Sequence, residues 1–146
     1  MYLMNMYQNE GIPYLVKEKS LKGFDHCCPD DIARSMCLEF NTDKLAEEHV
    51  WLIIMRDKPT SIHEITKGGM NYSFVDNASI MTRVLLSGAM CFALVHNHPS
   101  GNTTPSKQDD EVTEDIKQVS KLMGVNFVDH IIVGKGYYSY AEEGRM

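Results

Sequence analysis

Two histidines and one aspartate form the pattern in this chain that is best suited to metal chemistry. His96 and His98 are separated by one residue at the end of an apolar run, and Asp109 follows in the next segment. Side chains alternate along a strand, so residues two apart can face the same side. If Pro105 is the first helical residue, Asp109 lies about one turn into a helix, on the side near the histidines. The three side chains can therefore meet.

Two imidazole nitrogens and one carboxylate are a ligand set that suits Zn²⁺. Three protein ligands leave the fourth tetrahedral position open for water, which is typical of catalytic rather than structural zinc sites. On ligand type alone, Fe²⁺ and Mn²⁺ also accept this set. A His-x-His pair taken alone is more often a capping or surface pair than a metal site. The interpretation therefore depends on the rest of the chain.

The remaining histidines and cysteines do not form a second pattern of this kind. His26, Cys27 and Cys28 are consecutive, and three consecutive residues cannot readily close a tetrahedral shell. His49 and His63 have no partner set. The four cysteines include no C-x-x-C pair, which favours a reducing compartment over a disulfide framework.

Apolar runs and helical periodicity predict the elements that position these residues. Residues 50–55 and 90–95 are bounded apolar runs with the length of buried strands. Further strands are expected at 61–66, 125–133 and 137–140, and helices at 29–40, 77–87 and from 104–105 to before Gly124. Gly68 and Gly69 break the chain after the second central strand. The order predicts an α/β fold, a single domain with a mixed or largely antiparallel sheet flanked by helices.

The opening segment and the charge balance complete the prediction. Residues 1–28 are weakly defined, with a candidate edge strand at 14–17, and the folded domain is expected to span 29–146. The net charge of −6 and the pI of about 5.4 do not match a duplex-binding domain, which clusters Lys and Arg against phosphates. Neither a membrane-spanning run nor a signal-peptide core is recognisable. We expect a cytoplasmic protein that binds neither nucleic acid directly nor membranes.

The complete motif resembles that of the JAMM (JAB/MPN) metallopeptidase superfamily. It reads His96-x-His98-x₇-Ser106-x₂-Asp109, and the string His-Asn-His-Pro-Ser-Gly that starts at His96 is the form seen in the RadC-like branch. The similarity extends to residues 68–71, 80–86 and 129–134, and it covers roughly residues 29–140. Within the last of these segments, Asp129 and His130 are expected to support the fold or to pack behind the site.

The resemblance implies a JAB/MPN-like fold, similar in architecture to the cytidine deaminases, with one zinc ion bound by the two histidines and Asp109. It makes Ser106 the residue that stabilises the oxyanion and orients the site, although a serine here is also a natural helix N-terminal hydroxyl. It makes Glu48, two residues before a buried strand, the base that activates water. Glu47 is the competitor, because a slip of one residue would turn the other carboxylate toward the metal.

The activity that the resemblance implies is zinc-dependent hydrolysis. The enzyme would be a metallopeptidase or isopeptidase that acts on a protein or peptide substrate through metal-activated water. A zinc deaminase would need H-x-E with P-C-x-x-C, and neither string occurs. The alternative from another class is a DNA-repair-associated accessory or binding protein acting through partners, because RadC-like proteins are commonly labelled in that way. A third reading is a metal-bound scaffold without turnover.

Overall fold

The elements of the fold are defined by a computed structural model that describes residues 1–67 and 76–146. In chain order they are β1 (Tyr2–Asn9), β2 (Ile12–Ser20), α1 (Pro29–Phe40), β3 (His49–Met55), β4 (Pro59–Lys67), α2 (Asn77–Leu86), β5 (Cys91–Asn97), α3 (Lys107–Met123), β6 (Asn126–Val133) and β7 (Tyr137–Ser139). The predicted break at Gly68 and Gly69, and the family-like segment 68–71, lie outside the described residues. Within the described ranges, no helix is long and apolar enough to cross a membrane.

The strands form one mixed sheet in the order β2-β1-β4-β3-β5-β6-β7. β1 pairs with β4, and β5 with β6, in parallel, whereas the other neighbours are antiparallel. β3 and β5 lie at the centre. Their continuous apolar runs suit this place, because a strand that is covered on both faces buries successive residues. The predicted α/β class with a mixed sheet is confirmed.

Helices cover both faces of the sheet, so the side chains of successive β3 residues pack into two different hydrophobic cores. Trp51 belongs to the core that includes Ile32 of α1. The next residue, Leu52, belongs to the core on the other face, together with Val84 of α2 and Ile116 of α3. The molecule therefore has three layers, with α1 on one side of the sheet and α2 and α3 on the other.

The same alternation sets the direction of the first histidine in the motif. Phe92 and Leu94 of β5 point into the core beneath α2 and α3. Because side chains alternate with a period of two, His96 points to the same face. The strand therefore directs this imidazole toward α3, the helix that carries Asp109.

Helix α3 begins later than the sequence predicted. It starts at Lys107 with Ser106 as the N-cap, so Pro105 precedes the helix instead of opening it. Ser106 and Asp109 form a capping box, in which each side chain accepts a hydrogen bond from the backbone of the other. These two bonds satisfy amide groups at the helix end, which determines where the helix starts. Asp109 is consequently the third helical residue rather than one turn into the helix.

The first twenty residues form a hairpin that was only partly predicted. β2 lies at the edge of the sheet and contains the predicted strand at 14–17, whereas β1 was not predicted. β1 joins the sheet through a short parallel pairing of Tyr2 and Leu3 with β4. All eight of its residues are half-buried or exposed, and they include Asn5 and Gln8. It therefore lacks the apolar pattern by which a strand is recognised.

Candidate metal centre

Three ligand-type side chains meet between the end of β5 and the start of α3. The Nε2 atoms of His96 and His98 are 2.9 Å apart. Asp109 Oδ1 lies 3.2 Å from Nε2 of His96, and Asp109 Oδ2 lies 3.4 Å from Nε2 of His98. Ligands at tetrahedral zinc distances would be separated by about 3.4 Å. The donor atoms thus have a spacing that fits zinc, and in the described part of the chain they form the one group of this kind.

The hydrogen bond behind His98 shows which of its nitrogens carries the proton. His98 Nδ1 is 2.6 Å from the backbone oxygen of Asn102. A carbonyl oxygen can only accept, so Nδ1 donates. In the neutral ring, Nε2 is then unprotonated. The lone pair of His98 Nε2 is therefore directed at the other two members of the group.

A chain of three hydrogen bonds defines the proton positions behind His96. Thr113 Oγ1 donates its one proton to the backbone oxygen of Asp109 at 2.6 Å. In its second contact, at 2.7 Å from His130 Nδ1, the same oxygen must therefore accept a hydrogen bond. A neutral His130 then accepts through Nε2 from Nδ1 of His96, 2.8 Å away. With its proton on Nδ1, His96 also presents an unprotonated Nε2.

The arrangement brings together three electron-donating groups that a cation would stabilise. Two nitrogen lone pairs and a carboxylate face one another at 2.9–3.4 Å, and like-signed groups at such distances repel in a buried site. A cation bound between them would replace this repulsion with coordination. Ligating histidines usually donate their second N–H to a carbonyl or a similar acceptor, as both rings do here. The residues present therefore fit a bound zinc ion.

Burial and mutual contacts set the charges within the group. Burial acts to raise the pKa of the Asp109 carboxyl, but its contacts with His96 and His98 outweigh burial and hold that pKa well below the usual range. Burial lowers the pKa of His96. Contact with the Asp109 carboxylate raises the pKa of His98. Near neutral pH the group thus contains an ionised carboxylate beside a neutral His96, a combination that favours cation binding.

Ser106 orients the carboxylate ligand through the helix cap. Its backbone N–H donates to Asp109 Oδ2 at 2.6 Å, and its hydroxyl oxygen accepts from the backbone N–H of Asp109 at 3.1 Å. Since the oxygen accepts in this contact, the hydroxyl proton is not used by the cap. The capping role considered for this serine is thus present, and its part in oxyanion stabilisation stays a prediction.

Glu48 lies next to the histidines, immediately before β3. The β3–β5 register pairs Val50 with His96, and extending it by two residues places Glu48 opposite His98. Opposite residues of antiparallel strands point to the same face of the sheet. The Glu48 side chain is therefore on the same face as the metal group, and the Glu47 side chain is on the opposite face. The Glu48 carboxylate is close enough to act electrostatically on both imidazoles. The geometry favours Glu48 over Glu47, and its role as a base stays a prediction.

Several supporting residues were absent from the sequence interpretation. His130 packs behind the metal group, as expected, but its hydrogen-bonding partner Thr113 and the carbonyl of Asn102 were not foreseen. Thr113 lies one helical turn beyond the aspartate, and this spacing was the available signal. Asp129 accepts a hydrogen bond from the hydroxyl of Ser139 at 2.6 Å, so it supports the strand that follows.

A cavity of about 530 Å³ opens beside His98. Its walls are formed by α1, the loop at 99–101, the turn at 134–136 and Tyr137. Charges of both signs line it, including Arg34, Asp43 and Lys135. Of the three ligand-type residues, only His98 lines this cavity.

Comparisons with known proteins agree with the motif. A family model described as the RadC-like JAB domain matches residues 27–145. A UPF0758 protein of Thermotoga maritima is 38% identical over 105 residues, which is 70% of this chain and 47% of that protein. A UPF0758 protein of Streptococcus gordonii is 35% identical over 130 residues, covering 87% and 57%. One from Coprothermobacter proteolyticus is 35% identical over 114 residues, covering 75% and 48%. The chain spans about half the length of these relatives, and their names state no activity.

Proposed function

Since this chain belongs to the RadC-like JAB domain family, we propose that it is a zinc-dependent hydrolase that cleaves a peptide or isopeptide bond with water. The observation that carries the proposal is the convergence of two imidazole Nε2 atoms and one carboxylate in a largely buried group. Three protein ligands are the number found in catalytic zinc sites. The JAMM-type chemistry of the superfamily needs this arrangement together with a base.

The residues around the centre supply the remaining steps of hydrolysis. When bound, zinc would polarise the scissile carbonyl and lower the pKa of a coordinated water. His96, His98 and Asp109 would hold the ion. The Glu48 carboxylate takes the proton of the attacking water and delivers it to the leaving amine. The Ser106 hydroxyl donates to the carbonyl oxygen as that oxygen becomes negative.

The surroundings of the centre support a protein or peptide substrate. The cavity beside His98 is lined by charges of both signs, which suits a peptide better than a polyanion. The net charge of −6 gives no support to the alternative of a DNA-repair accessory protein that contacts DNA itself. The four cysteines are free, which is compatible with the proposed cytoplasmic location.

Zinc content tests the first half of the proposal. Protein purified without added metal is analysed for zinc in the wild type and in the variants His98→Ala, Asp109→Ala and Glu48→Gln. We expect about one zinc per chain in the wild type and in Glu48→Gln, and strongly reduced zinc in the two ligand variants. His26→Ala is the matched control, because it removes an exposed imidazole outside the group. A wild-type protein that neither holds nor takes up zinc would refute the hydrolase proposal.

Turnover tests the second half. Zinc-loaded wild type and Glu48→Gln are incubated with a fluorescence-quenched peptide library and with a set of lysine-linked isopeptides. Cleavage by the wild type, reduced to a slow residual rate in Glu48→Gln while zinc is retained, is the expected result. Stoichiometric zinc without cleavage in either protein would instead favour the metal-bound scaffold.

A further inference from the structure

Asn97, the residue between the two histidines, contacts the backbone on both sides of Glu48. Its side chain is completely buried. Its Oδ1 accepts from the backbone N–H of His49 at 2.8 Å, and its Nδ2 donates to the backbone oxygen of Glu47 at 3.0 Å. A backbone N–H can only donate and a carbonyl can only accept, so the two partners define the orientation of the amide.

The Asn97 amide links the two strands just beyond the last backbone pair of β3 and β5. Ladder pairing between β3 and β5 ends at Val50 and His96. Beyond this pair, the Asn97 side-chain amide bonds to the backbone oxygen of Glu47 and to the backbone N–H of His49. Residue 48 lies between these two bonds. The preceding segment is thereby held close to β5, although it lies outside β3.

The position of the Glu48 side chain depends on this backbone. Within the described ranges, its carboxylate makes no hydrogen bond or ion pair that would hold it in place. Its approach to His98 follows instead from the register of the segment before β3. The Asn97 amide maintains that register at the two residues adjoining Glu48.

We propose that Asn97 is a positioning residue that holds the Glu48 carboxylate beside the metal centre. This inference rests on the proposed hydrolase function, in which Glu48 is the base. Asn97 neither contributes a ligand atom to the metal group nor supplies a group to the reaction. Its loss should leave zinc binding intact and reduce the rate of the step that needs Glu48.

Amide hydrogen exchange measures the structural half of the inference. In zinc-loaded Asn97→Ala we expect the His49 amide to exchange about tenfold faster than in the wild type, because it loses its acceptor. Asn97→Asp is the second variant, since its carboxylate still accepts from His49 but cannot donate to Glu47. Zinc content should be unchanged in both variants. Thr60→Val is the matched control, because it removes a side-chain bond to the Ile54 carbonyl at the far end of β3.

Kinetics measures the functional half, with the peptide or isopeptide that the wild type cleaves. Misplacement of a reacting group by about 1 Å costs about 100-fold in rate, so kcat should fall by about that factor in Asn97→Ala, with KM little changed. In a Glu48→Gln background the same substitution should have no further effect, because the group that it positions is already disabled. A merely structural role would lower kcat equally in both backgrounds.

The outcomes separate this inference from the proposed function. Equal losses of kcat in the two backgrounds, or an unchanged kcat in Asn97→Ala, would overturn the role of Asn97 while the hydrolase stands. A wild-type protein that binds zinc but cleaves nothing would overturn the proposed function and, with it, this role. An unchanged His49 exchange rate in Asn97→Ala would overturn the inference whatever the activity.

Discussion

Thr113→Val is expected to weaken zinc binding without altering a metal ligand. Thr113 lies on α3 and is 2% exposed. Its hydroxyl accepts from His130, which in turn accepts from His96. Valine has a similar shape but cannot accept a hydrogen bond. The substitution therefore removes the group that determines the proton positions on two buried imidazoles.

The magnitude follows from comparing the zinc-bound and zinc-free states. With zinc bound, His96 must keep its proton on Nδ1, so the His130 Nδ1–H faces a methyl group. A buried donor without an acceptor costs about 1–3 kcal/mol. Without zinc, both rings can exchange their proton positions, and His96 Nε2–H can donate to Asp109, 3.2 Å away. The substitution therefore destabilises the zinc-bound state more than the zinc-free state. We expect zinc affinity to decrease about 10- to 100-fold.

A competition titration with a chromophoric zinc chelator measures this difference. The matched control is Thr113→Ser, which keeps the hydroxyl and should bind zinc nearly as tightly as the wild type. Thermal unfolding of the metal-free proteins shows how much packing each variant loses. Equal zinc affinities of the valine and serine variants would refute the proposed control of the His96 proton position by Thr113.

Three further predictions concern the helix cap, a buried histidine and a close backbone contact. Ser106→Ala should lower the free energy of unfolding by about 1 kcal/mol because it removes an N-cap acceptor, whereas Ser106→Thr should not; urea unfolding measures both. Burial lowers the pKa of His63 to about 4, so the unfolded state, with a pKa of about 6.5, takes up this proton first. Stability from this group should therefore be complete above about pH 6.5 and should fall by about 3 kcal/mol toward pH 4, a dependence that His63→Leu should lose in urea titrations. Gly134→Ala would place a Cβ 2.6 Å from the Gly101 backbone oxygen, so it should lower the melting temperature. It should also lower the zinc affinity, because it moves the loop after the second histidine. Gly136→Ala, where a Cβ meets open space, should change neither.

Each of these predictions has a clear contrary result. Equal unfolding free energies for the alanine and threonine variants at Ser106 would mean that the cap contributes nothing. A parallel pH dependence in the wild type and in His63→Leu would mean that this imidazole takes up its proton alike in the folded and unfolded states. A Gly134→Ala protein that melts and binds zinc like the Gly136→Ala control would show that the loop accommodates the added methyl group.

Elements with strong local signals were predictable from the sequence. Helix α1 has the predicted bounds, Pro29–Phe40, and α2 begins at Asn77 as predicted, with Asp76 as its N-cap. β3 and β5 were recognised because continuous apolar runs indicate buried strands. β1 was not predicted, because a half-exposed strand with polar residues has no such pattern. The start of α3 was misplaced, because two local signals competed and the capping box prevailed over the proline.

The sequence by itself determined the residue types of the candidate metal centre, since ligand preference is a property of individual side chains. Tertiary structure decided how these residues are supported. The hydrogen bonds from His130 join residues 17 and 34 positions apart, and those of Asn97 span 48 and 50 positions. Such contacts depend on strand register and on the way α3 lies across the sheet. Register is set by the packing of whole apolar faces, so no local pattern contains it.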